Sequence, residues 1–78
     1  MKVLITGTSS GIGKGCAELF LKKGHEVYGF DQNTATVTHP AYTHFCLDIR
    51  DKSSYPKLPS MDILINNAGV QNHNDIDV

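Results

Sequence analysis

Three glycines fall within eight residues, Thr6-Gly7-Thr8-Ser9-Ser10-Gly11-Ile12-Gly13, between an apolar run at Val3-Leu4-Ile5 and an amphipathic stretch that begins at Ile12. A loop of this kind suits phosphate. The amino end of a helix presents unpaired backbone N–H groups and the positive end of the macrodipole, and a pyrophosphate docks there when no Cβ stands in the way. Gly7 permits the sharp turn, Gly11 close approach, and Gly13 close packing of helix on sheet, while Ser9 and Ser10 add hydroxyl donors for phosphate or ribose. Asp31 follows 20 residues after Gly11 and 18 after Gly13, where an acidic side chain accepts hydrogen bonds from ribose hydroxyls. Its charge repels a 2'-phosphate, and neither Ser10 nor Gln32 supplies the cation that would neutralise one, so the expected cofactor is NAD rather than NADP. The plainer alternatives are a Gly/Ser loop that only caps a helix and a strand-end aspartate that only caps a turn.

Other chemistry-bearing residues form no comparable pattern. His25, His39, His44 and His73 have neither the i, i+4 nor the H-x-H spacing of a metal site, and they read as surface or loop residues; no metal is expected. Cys16 on a helix face and Cys46 inside a strand read as small buried hydrophobes.

These groups need elements to hold them. Lys2 to Thr6 reads as a buried parallel strand. Ile12, Cys16, Leu19 and Phe20 recur as one helix face, and Gly24 stops that helix with a left-handed cap. His25 to Asp31 reads as a second strand, parallel to the first because a one-helix crossover joins them. Gln32 to Tyr42 has no helical period. A third strand is expected over Thr43 to Ile49, a single helical turn at most between Arg50 and Ser60 because of Pro56 and Pro59, and a fourth strand over Met61 to Asn66. Gln71 to Val78 is polar, with a helix start near Asn74 or Asp75. Gly15 inside the helix is tolerable if it permits close packing on sheet or nucleotide.

Composition agrees with small-molecule chemistry. The 78 residues are 40% hydrophobic and 19% charged, with seven basic and eight acidic side chains and a net charge of -1. Without a Lys/Arg cluster there is no footprint of nucleic-acid or polybasic membrane binding. The apolar start is too short for a signal-peptide core or a membrane span, and two cysteines 30 residues apart suggest no disulfide framework, so a cytoplasmic setting is expected.

The spacing T-G-x-x-x-G-x-G at Thr6 to Gly13, Leu47-Asp48-Ile49 after the third strand and Asn66-Asn67-Ala68-Gly69 after the fourth resemble the classical short-chain dehydrogenase/reductase family. The resemblance covers nearly the whole chain, and it implies an NAD(P)-dependent oxidoreductase that moves hydride between nicotinamide and an alcohol or carbonyl substrate. By resemblance, Gly7, Gly11, Ile12 and Gly13 belong to the coenzyme loop and Asp31 holds the ribose. Asp48 meets the adenine amino group with help from the Ile49 backbone, Asn67, Ala68 and Gly69 line the cofactor near its ribose, and Asn66 steadies the central sheet. The implied fold is α/β, a partial Rossmann-like doubly wound parallel sheet of four strands in the order 3-2-1-4 with one main helix.

The family's catalytic Tyr and Lys stand in a Y-x-x-x-K turn, whereas Tyr28, Tyr42 and Tyr55 are followed four residues later by Gln32, Cys46 and Pro59. No catalytic residue is assigned. Residues 1–78 therefore read as the cofactor-binding half of a longer enzyme, inactive alone, with a sheet edge and an under-covered face that favour homo-oligomerisation or further polypeptide. Two alternatives stand beside this reading: a stand-alone NAD-binding module or regulator, and a non-binding remnant kept as an assembly surface.

Overall fold

The computed structural model describes residues 1–9 and 11–67; Ser10, Ala68, Gly69, His73 and the helix start expected near Asn74 or Asp75 lie outside the described residues. Five strands and helices and one short turn follow in order: β1 (Lys2–Thr6), α1 (Gly11–Lys22), β2 (Glu26–Asp31), β3 (Tyr42–Cys46), a 3-10 turn (Lys52–Ser54) and β4 (Ile63–Asn66). The strands form one sheet in the order β3-β2-β1-β4, and all three pairings are parallel. This is the expected α/β arrangement.

Side chains alternate across the sheet. Val3, Ile5 and Val27 face α1, join Ala17 and Leu21 in the core, and are flanked by Ile63, Ile65 and Tyr42. The segment between β2 and β3 carries no helix, and it closes the same face by inserting Val37 into that core. The opposite face holds Phe30, which meets Phe45 edge-on at 5.8 Å and Tyr55 at 4.9 Å. Tyr55 belongs to the connection after β3, so that connection covers the face opposite to the one covered by the first two, as a doubly wound sheet requires.

Helix α1 turns a different side inward from the one its large apolar residues suggest. Gly13, Ala17 and Leu21 are its buried residues, while Ile12 is 71% and Leu19 52% exposed. Small residues at 13 and 17 let the backbone sit close to the sheet; of the expected face, Cys16 and Phe20 pack partly buried against the core, while Ile12 and Leu19 are turned out. Gly24 (φ +91°) ends the helix as expected. The His25 N–H bonds the Phe20 carbonyl at 3.1 Å and the Gly24 N–H bonds Leu21 at 3.0 Å, the paired bonds of a left-handed cap. His25 therefore belongs to the cap, and β2 begins one residue later than the apolar pattern indicates.

β3 starts one residue earlier than expected and stops at Cys46, three residues before the expected end. Asp48 breaks it off: its carboxylate accepts the Arg50 backbone N–H at 3.0 Å, and its carbonyl accepts from Asp51 at 2.9 Å, which turns the chain away. β4 begins at Ile63 rather than Met61 because the Asp62 side chain takes the Lys2 N–H at 2.8 Å in place of a strand carbonyl. Cys46 is exposed, not buried, since it lies on the outermost strand; Cys16 is half-buried beside the core.

Candidate dinucleotide site

The central strand β1 has neighbours on both sides, and the connections that leave it and enter β4 cover opposite faces, so the chain diverges at its carboxyl end. Ligands of open α/β sheets bind at such a point. Gly7 (φ +76°) turns the chain there, its N–H bonded to the Phe30 carbonyl at 2.7 Å, and Gly11 (φ +63°) leads into α1.

Gly13 lies against this turn. A Cβ at position 13 would collide with the Gly7 carbonyl oxygen and stand 2.7 Å from Asn67 Nδ2, the same amide that donates to the Gly7 carbonyl at 3.3 Å. Alongside, the Thr6 hydroxyl donates to Asn66 Oδ1 at 3.0 Å, which ties the ends of β1 and β4. The amino end of α1 is thus drawn against the end of the sheet, leaving a cradle with no side chain at 7, 11 or 13.

Asp31 ends β2 and is 9% exposed. Its Oδ2 accepts the Ser9 backbone N–H at 3.1 Å and its Oδ1 accepts the Asn33 N–H at 2.8 Å, so the carboxylate is fixed at the loop's flank. Each oxygen keeps a second lone pair for a ribose hydroxyl. Ser9 has both donors engaged within the protein, since its hydroxyl donates to the Thr34 carbonyl at 2.9 Å. Ile12 is exposed beside the cradle.

Asp48 and Ile49 follow β3. Arg50 grips Asp48 through Nε at 3.1 Å and a terminal nitrogen at 3.0 Å, and these hydrogen bonds hold the Asp48 carboxyl below the usual aspartate value. The Ile49 carbonyl accepts the Tyr55 hydroxyl at 2.5 Å.

Four residues absent from the expected site line its underside. Thr8 is fully buried and its hydroxyl lies 2.7 Å from that of Tyr42, which in turn lies 2.7 Å from His44 Nδ1; His44 Nε2 lies 2.9 Å from the Asn33 carbonyl. A Cβ on Gly29 would strike the Tyr42 hydroxyl and stand 2.5 Å from Thr8 Oγ1. Burial raises the Tyr42 phenol above its ordinary pKa, the Thr8 hydrogen bond lowers it, and the Asp31 charge raises it further. The signal for this cluster was Gly29, because an isolated glycine inside a strand marks close approach.

The three tyrosines stand apart from any lysine partnership: the Tyr28 hydroxyl donates to Glu26 at 3.1 Å, Tyr42 meets Thr8 and His44, and Tyr55 bonds Ile49. Among the described residues no helix is long and apolar enough to cross a membrane.

A Rossmann-like parallel sheet with a glycine cradle at its divergence point defines a nucleotide-binding class of α/β protein. The sequence matches the short chain dehydrogenase family over residues 1–77, and the chain belongs to that family. It is 36% identical over 84 aligned residues to a protein of Dichelobacter nodosus named "Probable NADP-dependent dehydrogenase in aabA 3'region", an alignment covering 90% of this chain and 79% of the relative. It is 37% identical over 81 residues to an "NAD-dependent glycerol dehydrogenase" of Listeria innocua, covering 86% of this chain and 32% of that one. The chain likewise spans only 33%, 32% and 32% of three further relatives. In structure it resembles a short-chain dehydrogenase/reductase from Burkholderia vietnamiensis with a TM-score of 0.60 at 21% identity, over 68% of this chain and 27% of the other, a likeness of fold.

Proposed function

We propose that residues 1–78 form the dinucleotide-binding part of an NAD-preferring oxidoreductase. Membership of the family implies NAD(P)-dependent oxidation and reduction; the preference for NAD rests on this chain's own residues. The observation that carries it is Asp31, buried at the tip of β2 and hydrogen-bonded to the backbone of the glycine loop. A carboxylate fixed there accepts from vicinal ribose hydroxyls and repels a phosphate in their place. The names of the relatives carry both coenzymes, so this local charge is the discriminating feature.

When bound, the nicotinamide supplies a hydride acceptor or donor. The chain's own residues do the holding. Gly7, Gly11, Ile12 and Gly13 offer a backbone surface for the pyrophosphate, Asn67 secures that surface through Gly7, and Asp48 and Ile49 flank the adenine. Ser10, Ala68 and Gly69 complete the proposed lining, while Ser9, with both donors engaged within the protein, supports the loop from inside rather than offering its hydroxyl to the ligand. The whole protein acts on an alcohol or carbonyl substrate, as a homo-oligomer in the cytoplasm, and its catalytic groups come from polypeptide other than residues 1–78. A module that binds NAD without turnover is the second reading, favoured by the lack of any Tyr and Lys at the family's spacing.

Calorimetric titration of the chain as its gene produces it tests the coenzyme preference. Native protein binds NAD more tightly than NADP, and Asp31→Ala combined with Gln32→Arg reverses the order; unchanged selectivity would refute the role given to Asp31.

A further inference from the structure

We infer that Tyr42 is a positioning residue for the nucleotide loop, acting through Thr8, and that His44 and Gly29 serve to place its hydroxyl. This rests on the dinucleotide reading above. Thr8 lies between the turning Gly7 and Ser9, and it is fully buried, so its hydroxyl does not reach a ligand from the open side of the cradle. The Tyr42 hydroxyl meets it from below at 2.7 Å. That approach is possible only because Gly29, lying between them on β2, has no side chain.

Tyr42 is itself held. Its register partner is Val27, with Gly29 opposite His44, so Tyr42 and His44 share the α1 face of β3. His44 bridges the Tyr42 hydroxyl and the Asn33 carbonyl at 2.7 and 2.9 Å, and a neutral imidazole does this by accepting at Nδ1 and donating from Nε2. Tyr42 then donates to His44 and accepts from Thr8, a continuous directional chain from β3 into the loop.

The next residue is clasped by the same segment. The Thr36 hydroxyl donates to the Ser9 carbonyl at 2.6 Å, the Ser9 hydroxyl to Thr34, and the Ser9 N–H to Asp31. The side chains of Thr8 and Ser9 are thus turned toward the protein, which leaves the ligand side of the loop to backbone. A hydroxyl lost at Tyr42 takes this partner from the buried Thr8 hydroxyl, and one lost at Thr8 removes the same anchor while Tyr42 keeps His44. The loop must then be ordered at the expense of ligand affinity.

The test is a double-mutant cycle on NAD affinity, measured by calorimetry on the chain as its gene produces it, with thermal melts recorded in parallel. Tyr42→Phe and Thr8→Val each weaken NAD binding about three- to tenfold. The double variant binds no more weakly than either single one, and Thr8→Ser recovers the affinity that Thr8→Val loses although its melting temperature stays below native. Additive losses, or unchanged affinity in Tyr42→Phe, overturn the inference. Gly13→Ala separates this failure from failure of the dinucleotide reading: if it abolishes binding while Tyr42→Phe does not weaken it, the site stands and the Tyr42 role falls. Absence of NAD and NADP binding by native protein removes both.

Discussion

The carboxylate of Asp31 accepts a hydrogen bond from the backbone N–H of Ser9, 22 residues earlier, and so locks the tip of β2 to the loop that follows β1. Replacing Asp31 by Asn sets an amide NH2 against one of two backbone N–H donors, so the isosteric change does not preserve the lock. Asp31→Asn is expected to lower stability by roughly 1–3 kcal/mol, read from urea denaturation at neutral pH. A native-like midpoint would show that the carboxylate serves ligand alone.

Two glycines two residues apart in α1 should respond with opposite signs. Gly13→Ala forces a Cβ into the Gly7 carbonyl and costs about 1–3 kcal/mol or more. Among the described residues nothing beyond its chain neighbours and its own helix backbone lies within 4 Å of a Cβ at Gly15, so its tolerance in the helix does not come from close packing there. Gly15→Ala should therefore raise stability by about 0.5–1 kcal/mol and leave NAD affinity intact. Melting temperatures of the two variants check this directly.

Arg50 favours the charged form of Asp48, so the carboxyl of the folded chain keeps its charge to lower pH than an ordinary aspartate. The stability tied to this shift is present above the ordinary carboxylate value and is lost as pH falls through the lowered one. Arg50→Ala should move the Asp48 titration, followed by carboxyl NMR shifts, upward toward the ordinary value. Because the pair is exposed, the melting temperature near neutral pH should change little.

Tyr42 carries the opposite sign. Its phenol titrates above the ordinary tyrosine value in the folded chain, so its contribution is complete below that value and fades as pH rises through the raised one. The stability difference between native protein and Tyr42→Phe should shrink between about pH 8 and about pH 10.5. Paired urea titrations at the two pH values decide it.

The positions of the strands, the parallel β1-α1-β2 crossover and the glycine turn were legible because they rest on local signals, namely apolar runs of strand length, a glycine stop at Gly24 and a connection long enough for one helix, whereas the strand order 3-2-1-4 came from the resemblance to the family. The inward face of α1 was not. Hydrophobic periodicity favours large residues such as Ile12 and Leu19, while close packing selects Gly13 and Ala17, and the two criteria point to different sides of one helix. The end of β3 was hidden for a related reason. Leu47 and Ile49 extend the apolar pattern, but Asp48 satisfies a neighbouring N–H with its own side chain and breaks the ladder. The polar contacts beneath the loop involve residues 34 positions apart, Thr8 and Tyr42, and only Gly29 hinted at them.

β1 pairs with two partners at unequal distance along the chain: Val3 meets Val27 after 24 residues and Ile63 after 60. Closing the longer loop costs about 0.8 kcal/mol more in chain entropy, so the β1-α1-β2 unit has the earlier claim on folding time. A ribosome also delivers it first. The Asn66 and Asn67 amides that brace Thr6 and Gly7 come with β4, the late arrival. The nascent chain accordingly acquires its glycine turn before it acquires the clamp on that turn, and competence for nucleotide is reached in the last docking step rather than the first.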